Sequence, residues 1–249
     1  MKYFCLINYF PFMVNIQMVI SFNCKEILGD ENVKFLEWAA MEPCVDEVNN
    51  EELSQNLSEN IWRLVKLNFV SIELIPPNVY QKLGQVLTSI STEELRNVTM
   101  ARFETVEAFG AIQHTLITIG FKEEQLKVLA QKLRNEWIGK NPETYSEYDL
   151  IAMGEIICYL NTTDIDAIHA DAFKEAVQWI GQLKNCPHDR LEAFAKLSKQ
   201  SNSFGDPQNW SKLDVILLGN VINGLTSSDI ALIDSNKLNL NRYYIQNSN

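Results

Sequence analysis

Apolar residues recur along most of this chain at intervals of three and four, the spacing of one helix face. Leu53, Leu57, Ile61, Leu64 and Val65, with Asn68, predict a helix over Glu51–Phe69. Leu126, Leu129, Leu133 and Trp137 predict another over Glu123–Trp137, stopped at Gly139. Further helices are expected at Asn32–Met41, ended near Pro43, and at Glu104–Ile119, ended at Gly120. Ala172–Lys184, with Phe173, Ala176, Val177 and Ile180 inward, and Asp189–Gln200 complete the set. Pro77 opens a helix, because a first-turn proline loses no needed hydrogen bond. No stretch alternates apolar and polar residues long enough to make a sheet.

One pattern recurs. Trp210–Ile233 reads WSKLDVILLGNVINGLTSSDIALI, and 65 residues earlier Tyr145–Ile168 matches it at nine of 24 positions. Tyr80–Val98 falls into the same register more loosely. Each copy carries one apolar stripe: Leu83, Val86, Leu87 and Ile90; Met153, Ile156, Ile157 and Leu160; Leu218, Val221, Ile222 and Leu225. A glycine follows the first member each time (Gly84, Gly154, Gly219). Glycine inside a helix costs about 1 kcal/mol against alanine, so three in register point to a neighbouring backbone at close range. Each stripe then meets a small polar residue with an acid three positions on (Ser91/Glu94, Asn161/Asp164, Thr226/Asp229), the signature of a capped second helix. The expectation is an all-α protein, an α-solenoid or superhelix of repeated helix units of about 65–70 residues, stabilised by stacking. Its working surface would be a concave face built from equivalent helices.

Charge and cysteine narrow the setting. A net charge of −11 carries no basic stripe for nucleic acid and no polybasic cluster for anionic lipid. Lys2 is the only charge before Lys25, and Tyr3–Ile20 is largely apolar, so residues 1–21 read as a signal peptide and 22–249 as a single helical repeat domain. A buried N-terminal segment is the other reading, because Asn8, Pro11, Asn15 and Gln17 dilute the run. No transmembrane segment is expected in the mature chain. Beyond that leader four cysteines remain: Cys24, Cys44, Cys158 and Cys186. An even number in an exported chain implies two disulfides, and neighbour pairing, Cys24–Cys44 and Cys158–Cys186, closes the shortest loops. The competing reading is four buried thiols in a cytosolic protein. Asn56, Asn97, Asn161 and Asn209 open glycosylation sequons, a weak signal in a chain this rich in Asn, Ser and Thr.

Candidate chemistry is sparse. His114, His169 and His188 lie far apart, none beside a second ligand at metal spacing. There is no nucleophile elbow, phosphate loop, dinucleotide fingerprint or calcium loop. Paired acids such as Glu93-Glu94 and Glu123-Glu124 fall in helix first turns, where capping accounts for them. Trp38, Trp62, Trp137 and Trp179 read as core anchors; Trp210, which follows a polar loop, is the candidate ligand-stacking platform. No catalytic residue, cofactor or metal site is expected.

The run DVILLGNVINGLTSSDIALI resembles the repeats of the mesothelin, stereocilin and otoancorin family: an apolar helix with an internal glycine, a small polar turn, then an acid–Ile/Leu helix. The copy at Tyr145–Ile168 fits nearly as well. The resemblance implies an exported, glycosylated, armadillo-like superhelix that attaches cell surfaces to protein or gel-like matrix partners without catalysis. The segment NLNRYYIQNSN carries no hydrophobic lipid-attachment signal, so a secreted form, or one held at the surface by a partner, is expected. The expected partners are an extracellular protein or glycan, with self-association through the open last repeat. Two other readings stay open: a cytosolic armadillo-like adaptor, and a carrier holding a small apolar ligand between helices.

Overall fold

The computed structural model describes residues 24–29, 36–48, 52–111 and 120–238. The expected leader, the start of the Asn32–Met41 helix, the later part of Glu104–Ile119 with His114, and the segment 239–249 lie outside the described residues. Among the described residues every regular element is a helix.

The chain opens with α1 (Cys24–Gly29) and α2 (Trp38–Val48). Pro43 does not stop α2, as the sequence had implied, but lies inside it. Proline there removes a backbone hydrogen bond. The buried stripe Met41, Val45 and Val48, together with the bond from Cys44 to Cys24, holds the helix through that defect.

One succession then occurs three times. A long helix leads: α3 (Gln55–Asn68), later α7 (Glu123–Glu136) and α11 (His188–Ser198). After a 3-10 turn comes a seven-residue helix: α4 (Pro77–Leu83), α8 (Glu147–Met153) and α12 (Lys212–Leu218). A 3-10 helix follows without a break, at Gly84–Ser89, Gly154–Tyr159 and Gly219–Gly224. A short capped helix closes the set: α5 (Thr92–Leu95), α9 (Thr162–Asp166) and α13 (Ser227–Leu232). Return helices α6 (Phe103–Gly110) and α10 (Ala170–Ile180) lead into the next long helix.

The repeated stripe is therefore not one continuous helix. Gly84, Gly154 and Gly219 adopt φ of 47°, 52° and 47°, a region that only glycine enters cheaply, and each ends its α-helix there. The stripe stays buried across the break, because a 3-10 helix also returns a side chain to the same face every third residue. The close approach expected at these glycines is present at Gly154 and Gly219. A methyl on Gly154 would overlap the Gly110 carbonyl, and one on Gly219 would overlap that of Gly181. The Asn220 N–H donates to the Gly181 carbonyl at 2.7 Å. Each return helix thus ends on the broken joint of the following set.

Contacts run from one set to its neighbour. Long helices pack on the 3-10 helix of their own set, α3 on Gly84–Ser89 and α11 on Gly219–Gly224. They also cover the short helix of the set before: α7 lies on α5, and α11 on α9. The core is one apolar cluster that includes Phe109, Phe173, Phe194, Met153 and Leu218. At roughly 25 cal/mol per Å² of apolar surface removed from water, these contacts are the main favourable contribution to the fold.

Candidate interaction surface

Each set is closed by a polar latch. Ser91 and Thr226 form capping boxes with Glu94 and Asp229, as the residue pattern had implied. Asn161 stands at the equivalent helix start but makes no side-chain cap. Its acid, Asp164, is taken instead by a cation from the long helix: Arg134 Nε donates to Asp164 Oδ1 at 3.0 Å. The other two acids have the same kind of partner. Lys66 pairs with Glu94, which also accepts from Trp62 Nε1 at 3.1 Å, and Lys199 Nζ reaches Asp229 Oδ2 at 2.7 Å. Burial pushes the Glu94 carboxyl up, but hydrogen bonds from Lys66, Ser91 and Trp62 outweigh it and hold the group below the usual carboxylate range. Asp229 is held low in the same way by Lys199 and Thr226, against a burial effect of opposite sign. The acids were legible as caps; their cations were not.

A second device ties one set to the next. Gln125, in the first turn of α7, donates to the Thr88 and Ile90 carbonyls at 2.9 and 2.7 Å. Arg190, 65 residues on in the first turn of α11, donates through Nε to the Leu160 carbonyl at 3.0 Å. Ile90 and Leu160 are matching positions, each closing a 3-10 helix.

Around the middle latch lies an open cleft of about 380 Å³, lined by Arg134, Asn141, Pro142, Glu143, Asp164 and Ala167. Tyr145 is buried nearby, its ring 5.7 Å from that of Trp137, and its hydroxyl has no hydrogen-bond partner among the described residues. Burial, opposed in part by the Arg134 charge, pushes this phenol up to about 12, so it stays neutral. The lining mixes one cation, two carboxylates, an amide and two small apolar surfaces. Among the described residues no group of three His, Cys, Asp or Glu is placed to hold a metal ion.

Several apolar side chains are exposed in, or just after, the connections between long helix and broken helix. Val70 and Ile138 each stand two residues beyond a long helix, 95% and 76% exposed. Tyr148 and Leu213 are each the second residue of the broken helix and are also exposed, as is Leu74.

Trp210 does not serve as the expected stacking platform. It is 1% exposed, and its Nε1 donates to the Gly205 carbonyl at 3.0 Å. Tyr145 and Ile75 occupy the matching positions and are buried too, so the site is an anchor for the start of the broken helix. Trp62 and Trp137 are buried, whereas Trp179 is 41% exposed on α10 and is no core anchor. Asn56, Asn97, Asn161 and Asn209 are all exposed. Cys24 is bonded to Cys44 and Cys158 to Cys186, with Cα separations of 5.0 and 4.9 Å. The first joins α1 to α2; the second ties the 3-10 helix Gly154–Tyr159 to the segment after α10. His188 is exposed and lies 3.7 Å from Glu192, and His169 precedes α10 without capping it. No described helix is long and apolar enough to cross a membrane.

Among the described residues the protein is thus all-helical, with the same glycine-centred joint at three places, two disulfides and several exposed apolar side chains. The chain is similar to otoancorin of Mus musculus and of Homo sapiens, 26% identical to each over 152 residues. The match covers 61% of this chain and 12% of either relative, and supports a distant relationship to otoancorin. No family profile and no solved structure matches the chain.

Proposed function

We propose that this chain is a secreted, non-enzymatic adhesion protein, a superhelical stack of units of about 65–70 residues that holds an extracellular partner. The two disulfides and the four exposed sequon asparagines favour export over the cytosolic adaptor reading. The polar, open cleft favours a macromolecular partner over a small apolar ligand. The distant relationship to otoancorin points to the same class. Protein or glycan recognition, cell–matrix adhesion and attachment at the cell surface belong to this proposal, as do the leader at residues 1–21 and self-association.

The single observation that carries the reading is the exposure of the apolar side chains Val70, Leu74, Ile138, Tyr148 and Leu213. It sets the working surface at the connections, where Val70, Leu74 and Ile138 lie, and at the starts of the broken helices that follow, where Tyr148 and Leu213 lie. The test is expression of the tagged full chain in secretory cells. The protein is expected in the medium or at the cell surface, shifted in mobility by glycosidase and without free thiols. Val70→Asp with Ile138→Asp is expected to lower attachment of cells to protein-coated plates several-fold while leaving secretion intact. Cytosolic, reduced protein contradicts the proposal, and so does attachment unaffected by the double variant.

A further inference from the structure

The residue after the joint glycine is Gln85, Glu155 or Asn220 in the three sets. Two of these are amides that tie the 3-10 helix to the chain leading into the long helix of their own set. Gln85 Nε2 donates to the Leu53 carbonyl at 3.3 Å, and its Oε1 accepts from the Leu53 N–H at 3.1 Å. Asn220 Nδ2 donates to the Leu183 carbonyl at 3.1 Å. The third is a half-buried acid, and an ionised carboxylate has no hydrogen to donate. Leu53 stands two residues before α3, and Phe121 stands two residues before α7. Unlike the Leu53 carbonyl, that of Phe121 accepts no hydrogen bond among the described residues. Glu155 lies beside this segment: a methyl on Gly120 would be 3.8 Å from Glu155 Oε2. On its other side Glu155 meets Asn185, and Cys158, one 3-10 turn further on, is bonded to Cys186. The second joint is thus fixed covalently toward the next set, while the matching hydrogen bond toward its own long helix is missing.

We propose that Glu155 is an acid-operated clasp on the second joint: once protonated it donates to the Phe121 carbonyl, as Gln85 donates to that of Leu53. Its own environment favours the neutral form, since burial pushes the carboxyl up and Asn185 only partly opposes it. Charged groups on the elements packed against this 3-10 helix have other partners. On α7, Lys127 pairs with Glu123 and Glu124; on α6, Glu104 faces Arg102 and Glu107 accepts from Gln81. On α8, Asp149 is held by Lys140; on α11, Arg190 pairs with Asp189, Glu192 stands beside His188 and Lys196 binds Asp166. Tyr159, on the same 3-10 helix, feels Glu155 together with the three α7 charges, and its burial keeps the phenol neutral. The sign follows from the raised carboxyl. The clasp is fully closed below the ordinary glutamate range and opens as pH rises through the raised value. The latches at Glu94 and Asp229 respond in the opposite sense, loosening as pH falls. This inference rests on the register of the three sets and is independent of the proposed adhesive function.

The test is amide hydrogen exchange on the full chain between pH 7 and about pH 4, corrected for the intrinsic pH dependence of exchange. Protection of Gly154–Tyr159 is expected to rise about fivefold as pH falls, the worth of one neutral hydrogen bond. Gly84–Ser89, which carries Gln85, is expected to show no such rise. Glu155→Gln, which copies the first set, is expected to be protected at both pH values and to lose the response. Glu155→Met separates the clasp from mere removal of a half-buried charge, since it is neutral but has nothing to donate. Its second joint is expected to stay as open at both pH values as in the unsubstituted protein at pH 7. A second joint indifferent to pH overturns the proposal, and that measurement needs no variant. So does a Glu155→Gln protein that keeps the full response, or a Glu155→Met joint as well protected as that of Glu155→Gln.

Discussion

The joints at Gly84 and Gly154 share a backbone conformation and differ in almost everything around it. Both glycines combine φ near +50° with strongly negative ψ, and both hand an α-helix over to a 3-10 helix. At the first joint the helix starts on Pro76-Pro77 with no side-chain cap. At the second, Ser146 and Asp149 form a capping box, and Lys140 reaches the buried Asp149 at 2.6 Å. The residue after the glycine differs as well. Gln85 exchanges two hydrogen bonds with the Leu53 backbone, whereas Glu155 places a half-buried carboxyl beside Asn185. The backbone turn and the buried stripe are held constant while the polar closure varies. That is the pattern expected if the glycine conformation does the positioning and the polar groups merely avoid being left unpaired.

Variants can break this comparison. The largest effect is expected at Gly110, which has an ordinary φ but whose added methyl would run into the Ala152 carbonyl. Gly110→Ala should cost about 3 kcal/mol, since backbone rather than a flexible side chain must move. Gly205→Ala, at φ 72° with nothing within 4 Å, should cost about 1 kcal/mol from backbone strain alone. Urea unfolding of the two variants separates close approach from conformation. Equal losses would mean that the Gly110–Gly154 contact matters little.

Replacing both Cys158 and Cys186 by serine should cost about 3–4 kcal/mol, the chain-entropy value for a bridge across a sequence separation of 28. An unchanged melting temperature would show that the bond is not formed in the native protein. The smallest effects are electrostatic, and their signs oppose one another. Glu94 and Asp229 are held low, so their contribution is present above the ordinary carboxylate range and is lost as pH falls through their lowered values. Burial pushes Glu155 up, only partly opposed by Asn185, so its charge weakens the fold at neutral pH. Glu155→Gln, which copies Gln85, should therefore be more stable at pH 7, with the difference closing as pH drops below the ordinary glutamate range. A pH-independent difference would point to packing instead.

Much of this architecture is legible in the residues. The long helices α3, α7 and α11, the buried stripes, the caps at Ser91 and Thr226, and the nearness of another backbone to Gly154 and Gly219 follow from spacing and residue type. The break at each glycine does not, because i, i+3 burial reads the same in an α-helix continued as a 3-10 helix. The latch cations were hidden for a different reason. Lys66, Arg134 and Lys199 stand 28, 30 and 30 residues before their acids, which no local motif reports. Comparing charges at the repeat offset, rather than within one helix, is the signal that finds them. Trp210 misled because a tryptophan after a polar loop reads as exposed, although its register with Tyr145 and Ile75 identifies an anchor. The exposed apolar residues had no sequence signature, since an exposed leucine and a buried one are written alike.

The central claim is that one glycine-centred joint serves three times, and equilibrium unfolding of Gly84→Ala, Gly154→Ala and Gly219→Ala tests it most directly. A loss at least as large as that of Gly205→Ala is expected in all three, because every joint needs a positive φ that alanine enters only with strain, and a larger one at Gly154 and Gly219, where the added methyl also meets a backbone carbonyl. A variant among the three that unfolds like the wild-type protein would contradict it.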